Sequence, residues 1–368
     1  MKRTPFHDKG LECGAKMVEM FGYYLPWEYG AGHAREHLAT REGVSVCDLH
    51  YMGEFTIEGP DALRLVQMIA TNDYSKKGIG SIQYTAMCDE SGLMIDDCTI
   101  WRLDTDKYMV ISGSEDDYAW ISEQAKHLNV ATANITDDHT TLAVQGPKSG
   151  RVVQALADID VSTIGYYRFR PAKIHGIDCI IARMGYTGEI GCELHFASSD
   201  GPAIWDLIMK AGRPYDIVPC AQAALESLRQ EAGYLLVGKD HDRKTNPLEA
   251  GIGFAVKFGK DQFIGKAALE KIARDGVRRR MVWLDVASGD VADTGDAIFV
   301  ADRQIGTVTS GSYSPTRNRG TAMAYVDPAH AIPSLDVVIS LHDGKRVSAK
   351  LSNMPLYDPG DTRTKSAS

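Results

Sequence analysis

Two adjacent aspartates, Asp96 and Asp97, stand in a segment that otherwise reads as a β-hairpin, YTAMCDESGLMIDDCTIW from Tyr84 to Trp101. Asp89-Glu90-Ser91-Gly92 supplies turn chemistry between two apolar runs. Strands are depleted in Asp, and neighbouring strand residues point to opposite faces. One carboxylate must therefore face the side that Met94, Ile95, Thr99 or Trp101 would otherwise fill, which is costly unless it is paired or used. The same alternation excludes a glycosidase pair, because adjacent strand residues cannot flank one scissile bond. One aspartate is then a site residue, and the other a solvent or turn partner.

Other residue patterns carry weaker chemistry. His33-Ala34-Arg35-Glu36-His37 matches the H-x-x-E-H pattern of a zinc-protease helix, but no third ligand is evident, and the surrounding AREHLATREG reads as a charged surface helix. No metal is expected. Gly78-Ile79-Gly80 and Gly185-Tyr186-Thr187-Gly188-Glu189-Ile190-Gly191 both lead into strands. A dinucleotide site needs its glycines to open a helix, so both clusters fail that test. The second still lets backbone approach a ligand closely, and carries Tyr186 with Glu193 soon after. Cys47, Cys88 and Cys98 lie in apolar strand-like contexts and read as small buried hydrophobes. Arg229 and Glu231, in ALESLRQEAGYLL, read as structural ion-pair residues.

The elements that must position these groups repeat along the chain. Met52–Glu58 alternates as a strand, Gly59-Pro60 breaks it, and 61–70 reads as a helix, followed by the hairpin and a strand near 107–112. A helix capped at Ser114 follows. The order returns with a strand at Thr140–Gln145, the Gly146-Pro147 break, a helix at 148–157 and strands near 167–174, 178–183 and 192–196. An offset of 87 residues superposes Gly59, Pro60, Arg64, Val66 and Gln67 on Gly146, Pro147, Arg151, Val153 and Gln154. This predicts a duplicated α+β unit, with a pocket between the copies. A helix near 221–236, a loop and a helix from Phe263 to Arg274 come next. From Arg278 the texture changes to short strands between Gly, Asp and Pro turns, which predicts a small β-barrel or sandwich. The expected regions are 1–140, 141–275 and 276–368, the last ending in a disordered tail from Thr362.

At 368 residues, with 44% hydrophobic and 24% charged content, the chain has ample surface to bury. A net charge of −9, with Arg278-Arg279-Arg280 as the only tight basic run, disfavours nucleic-acid binding. No stretch approaches the ~18 apolar residues of a membrane span, and the N-terminus has no apolar leader core. Seven cysteines without a C-x-x-C pair fit a reducing, cytoplasmic setting.

Taken in order, the motifs resemble the glycine cleavage T-protein family of tetrahydrofolate-dependent aminomethyltransferases. The pieces are MKRTPFHDKGLECGAKMVEMFGYYLPWEYG, MGEF, TND at Thr71–Asp73, the IDD hairpin, LAVQGPK, GYTGEIGCEL, ESLRQEAGYLL, KTNPLEAGIGFAVK, FIGKAAL, TSGSYSP and MPLY. They cover nearly the whole chain. The resemblance implies three domains around a central folate cavity, with Asp97 as the catalytic aspartate. It implies a tetrahydrofolate pocket of Met52, Tyr84, Thr99, Trp101, Tyr186, Glu193 and Tyr357. Implied partners are a reduced folate, a small amine or methylated donor, and a lipoyl carrier protein.

The chain also departs from the family pattern. Where the family helix reads G-A-R-D-x-x-R-L-E, this chain has Ala223-Ala224-Leu225-Glu226-Ser227-Leu228-Arg229-Gln230-Glu231, so Leu225 replaces an arginine associated with the folate tail. Ser112-Gly113 stands where glycine-cleavage members carry Asn. The ALESLR helix looks like the folate domains of sarcosine and dimethylglycine oxidases. Aminomethyl transfer to tetrahydrofolate is the expected activity. A folate-dependent demethylase of a small N-, S- or O-methylated compound is the alternative. A non-catalytic folate-binding protein of iron–sulfur assembly is a third reading, set against KTNPLEAGIG, which lacks that group's reactive cysteine.

Overall fold

Gly59 and Gly146, the glycines of the two Gly-Pro breaks, hold φ of 136° and 116° in the computed structural model, which describes residues 1–366. A Cβ on Gly59 would lie 2.7 Å from the Asn129 carbonyl oxygen, and one on Gly146 would lie 2.5 Å from that of Thr40. Only glycine fits either position. The repeated dipeptide thus records one backbone requirement met twice.

Three short strands, β1 (Lys2–Arg3), β2 (Lys16–Met20) and β3 (Tyr23–Glu28), form a small N-terminal sheet. Strand β4 (Ser45–Asp48) follows the helix His33–Glu42. Next come β5 (Gly53–Glu58), β6 (Ile82–Cys88), β7 (Met94–Arg102), β8 (Lys107–Ser112) and β9 (Ala131–Asn134), in a five-stranded sheet of order β6-β7-β8-β5-β9. The second unit supplies β10 (His139–Gln145), β11 (Arg168–Ile174), β12 (Ile177–Arg183), β13 (Gly191–Ala197) and β14 (Val218–Cys220). Its six-stranded sheet has the order β11-β12-β13-β10-β4-β14. Under the repeat, β6, β7, β8 and β5 correspond one to one with β11, β12, β13 and β10. The fifth place differs: β9 fills it in the first sheet, whereas β4, from the N-terminal region, fills it in the second.

Each sheet buries one face under helices. In the first, Cys98 and Ile100 of β7 pack with Leu65, Val66 and Ile69 of the helix Ala62–Ile69. In the second, Leu142, Val144, Leu194 and Phe196 pack with Val152 and Val153 of one helix and with Ile204, Trp205 and Ile208 of another. The opposite faces meet where the edge strands β6 and β11 join. There Ile82 N–H donates to the Tyr167 carbonyl, and Phe169 N–H to the Gly80 carbonyl, both at 3.0 Å. Ile82, Trp101, Met109, Ile111, Phe169 and Ala182 form an apolar cluster between the sheets.

The C-terminal region closes as a barrel of order β15-β18-β17-β16-β19-β20, formed by β15 (Arg280–Val286), β16 (Ala297–Val300), β17 (Arg303–Ser314), β18 (Arg319–Val326), β19 (Asp336–Ser340) and β20 (Arg346–Ser352). Closure removes the exposed edges that such short strands would leave. The barrel rests on the helix Gln222–Ala232, whose fully buried Arg229 donates to Ser310 Oγ of β17 at 2.9 Å and pairs with Asp240. Arg229 and Glu231 are structural ion-pair residues, as read from the sequence.

Two expectations give way. The helix His33–Glu42 is not a surface helix: Glu36, His37, Thr40 and Arg41 are all buried. Its charges are taken up by distant partners, Ala221 N–H on Glu36 and Glu231 on Arg41. The tail expected to be disordered from Thr362 instead forms a helix over Thr362–Lys365, held by Arg363 on Glu189 and by the buried Thr364. Positions 367–368 lie outside the described residues.

Candidate functional site

Period-two alternation along β7 puts Asp97, Thr99 and Trp101 on the face turned toward the second sheet. Tyr84 lies opposite Thr99 in the β6–β7 register. Its hydroxyl donates to Asp97 Oδ2 at 2.8 Å. Burial, then the Asp97 charge, push the Tyr84 phenol well above its usual range, so it remains a donor. Asp97 Oδ1 lies 2.7 Å from His241 Nε2. The Asp97 side chain keeps 18% exposure, whereas that of Asp96 keeps 1%.

Asp96 performs a different task. Its Oδ1 accepts Asp97 N–H at 2.8 Å and its Oδ2 accepts Gly113 N–H at 2.9 Å, which ties β7 to the end of β8. Burial, then the nearby Asp97 and Asp117, raise its pKa well above the carboxylate range. The two aspartates are therefore a fixed anchor and a partly exposed carboxylate. Asp96, Asp97 and His241 bring ligand atoms within 4.8 Å of one another, but the Asp96 oxygens already accept backbone donors.

The second sheet contributes Glu193, which is buried on β13 and shares a face with His195 two residues on. His195 Nε2 is 3.7 Å from Glu193 Oε2, and its Nδ1 is 3.6 Å from Glu54 Oε1 of β5. Thr141 Oγ1 lies 2.7 Å from Glu54 Oε1 and 2.8 Å from His195 Nδ1. Burial works against a charged His195, but the nearby Glu193 and Glu54 carboxylates outweigh it and raise the imidazole to about 9. The sheet-to-sheet contact is completed by Trp101, edge-on to His195 at 4.6 Å and stacked on Phe169 at 5.3 Å. The Trp101 indole N–H donates to Thr99 Oγ1 at 2.9 Å.

Trp101, on the Asp97 face of β7, meets His195, on the Glu193 face of β13, so the two carboxylates lie on faces turned toward each other. Tyr186 packs beside Leu225 and Met52 and stacks on Tyr234 at 5.7 Å, and its hydroxyl donates to the Leu235 carbonyl. Met52 touches the apolar clusters on either side. Leu225 is buried among Cys47, Leu49 and Ala143, an apolar wall where an arginine would have brought charge. Tyr357 joins a separate network: its hydroxyl donates to Glu189 Oε1 at 2.6 Å, and the Arg41 guanidinium lies 3.8 Å over its ring. Tyr84, Asp97, Thr99, Trp101 and Glu193 thus converge, Met52 and Tyr186 flank them, and Tyr357 is held apart.

The H-x-x-E-H histidines take separate partners. His33 Nδ1 lies 3.2 Å from Glu28, whereas His37 contacts Ser227 Oγ at 2.7 Å and Thr316 Oγ1 at 2.8 Å. Cys47, Cys88 and Cys98 are buried, free and pushed above the usual thiol range, so they are poor nucleophiles. Two concave surface sites of about 590 Å³ are also present, one around Tyr23 and His50 and one lined by Pro171, Ile180 and His195, which borders the inter-sheet site through His195. Convergent carboxylates and aromatic rings, rather than volume, mark the inter-sheet site.

Four participants escape a reading of sequence alone. His241 sits in an irregular loop with no periodic signal. Glu54 lies in the MGEF strand, and His195 shares Glu193's face at the i, i+2 spacing, the one available clue. Phe254, 66% exposed, stacks on Tyr84 at 5.8 Å.

A model of the GCVT N-terminal domain matches residues 6–260, and one of the glycine cleavage T-protein C-terminal barrel domain matches residues 279–358. An aminomethyltransferase of Thermotoga neapolitana is 36% identical over 360 residues, covering 97% of this chain and 98% of the relative. One from Halothermothrix orenii is 34% identical over 358 residues, covering 96% and 99%. The crystal structure of glycine cleavage system aminomethyltransferase T from Bartonella henselae superposes with a TM-score of 0.91 at 26% identity, over 97% of this chain and 98% of that one. Among the described residues, no helix is long and apolar enough to cross a membrane.

Proposed function

The chain belongs to the glycine cleavage T-protein family, and on that premise we propose that it is an aminomethyltransferase that passes a one-carbon unit from an aminomethyl donor to tetrahydrofolate. The observation that carries this reading is Asp97, a partly exposed carboxylate on the inter-sheet face, gripped by Tyr84 and His241. Tetrahydrofolate supplies the weakly nucleophilic nitrogen that takes up the carbon. Attack on an activated carbon leaves that nitrogen positively charged, and Asp97 is placed to stabilise the charge and accept the proton. Shielding from water strengthens the effect.

The remaining residues fit the same substrate. Glu193 is an acceptor for the pterin amino and ring N–H donors, and the His195 cation beside it offsets the cost of burying the carboxylate. Tyr84 offers aromatic surface for the ring, and the buried Trp101, packed on Phe169 and His195, supports the wall. Met52, Thr99 and Tyr186 complete the proposed wall. Tyr357 acts at a distance, by holding Glu189 and Arg41 under the C-terminal segment. Leu225 offers the glutamate tail no charge, so the tail is held by other groups.

The donor we favour is an aminomethyl group on a sulfur of the lipoyl arm of a carrier protein; loss of its amine and cleavage of its C–S bond give 5,10-methylenetetrahydrofolate, ammonia and the free dihydrolipoyl thiol. The seven free cysteines fit a cytoplasmic setting. Isothermal titration with tetrahydrofolate tests the reading. Binding to the wild-type chain, weakened about 10- to 100-fold in Glu193→Gln, is expected from the loss of a charge-assisted contact. Absence of wild-type binding would sink it. Formation of a methylated folate from a small N-, S- or O-methylated compound would move the chain to the demethylase reading.

A further inference from the structure

His241 lies 144 positions from Asp97 in sequence, and its imidazole is buried against the Asp97 carboxylate. We propose that His241 is a positioning residue for Asp97: as the Nε2–H tautomer it donates to Oδ1, fixes the carboxylate's rotation and favours its anionic form. The proposal rests on the reading above only for what Asp97 acts upon.

The loop holds the imidazole from both flanks. Gly238 N–H donates to the His241 carbonyl at 2.8 Å, and the Tyr325 hydroxyl donates to the Asp240 carbonyl at 2.8 Å. Asp240 Oδ1 accepts from Thr309 Oγ1 at 2.6 Å and Ser310 Oγ at 2.7 Å, while its Oδ2 pairs with Arg229. On the other side, Asp242 Oδ1 accepts from Lys244 N–H and Thr245 Oγ1, both at 2.9 Å. A surface loop pinned at this many points presents its side chain as a strand would.

Partner chemistry assigns the tautomer. An ionised carboxylate oxygen only accepts, so the nitrogen 2.7 Å from it carries the hydrogen. His241 Nδ1 is buried and has no hydrogen-bond partner. An unpaired lone pair there is cheaper than an unpaired N–H, which places the ring hydrogen on Nε2. The groups facing it fit. Asp96 Oδ1 stands 3.4 Å from Nε2, and Asp117, whose charge raises the Asp96 pKa, is approached by Arg243 at 3.5 Å. Tyr84 holds the other Asp97 oxygen. Asp97 therefore receives one donor on each oxygen, and each oxygen keeps a further lone pair for a substrate N–H.

The test compares His241→Leu, which removes the donor, with His241→Gln, which restores an N–H of similar reach. Two readouts are followed against pH: the carboxyl ¹³C shift of Asp97, assigned by its loss in Asp97→Asn, and kcat/KM for tetrahydrofolate. Loss of a charge-assisted donor moves the carboxyl midpoint and the acid limb of the profile upward together, by about one to two pH units. The glutamine variant should hold both near wild type. Should the leucine variant not fold, His241→Asn, whose amide is too short to reach Oδ1, takes its place with the same expected shift. Unmoved midpoints in the donor-free variants, or an equal displacement in His241→Gln, would overturn the proposal. A wild-type chain without tetrahydrofolate turnover would instead overturn the functional reading, and the carboxyl titration would still decide the role of His241.

Discussion

Replacing His195 by glutamine removes the one cation between two buried carboxylates, Glu54 and Glu193. Burial opposes the charged imidazole, but the two glutamate carboxylates within 4 Å raise it from an ordinary 6.5 to about 9. A histidine raised on folding contributes stability that is fully present below the unfolded value of 6.5 and is lost as pH rises through about 9. That difference corresponds to about 3 kcal/mol at low pH, less at pH 7, and almost nothing above about pH 9.5. Full burial leaves little solvent screening to discount. The assay is urea unfolding of wild type and His195→Gln at pH 6 and pH 9.5. The variant's deficit should shrink by roughly 3 kcal/mol between the two, leaving only the pH-independent change in packing. An equal deficit at both pH values would refute the idea that His195 is the buried cation supporting Glu193.

Arg41→Met removes a buried guanidinium that bonds Glu231 Oε2 at 2.8 Å, Glu189 Oε1 at 3.2 Å and the Thr187 carbonyl at 2.6 Å. Breaking such a pair from one side costs about 3–5 kcal/mol, so chemical denaturation should show a large loss, whereas Lys173→Met at an exposed pair should fall within about 0.5 kcal/mol of wild type. Gly146→Ala forces a Cβ to within 2.6 Å of two carbonyl oxygens at a φ of 116°, and a lowered melting temperature is expected, with Gly176→Ala, where no atom lies within 4 Å, as the milder control.

The hairpin, the repeat and the barrel were legible because each leaves a local mark. Alternation along β7 separated Asp96 from Asp97, and the Gly-Pro breaks marked two glycines with the same backbone requirement. Evenly spaced short strands announced the barrel. What escaped depends on contacts distant in sequence. The helix His33–Glu42 reads as a surface helix because its residues are charged, yet its partners at Ala221, Ser227 and Glu231 bury it. β4 gives no hint that it enters the second sheet, since a four-residue strand can join any free edge. His241 has neither period nor motif, and only the folded loop brings it to Asp97. The segment Thr362–Lys365 is polar throughout, and its order comes from Arg363 on Glu189 and on the Arg41 carbonyl, contacts that composition cannot show.

The central claim is that Asp97 handles the charge that develops on the folate nitrogen. Its most direct test is the tetrahydrofolate-dependent release of ammonia from an aminomethyl donor, measured in wild type and Asp97→Asn alongside tetrahydrofolate binding. The account predicts a kcat lower by about 100- to 10,000-fold in the variant, with folate binding retained. Turnover at the wild-type rate by a folded, folate-binding Asp97→Asn chain would contradict it.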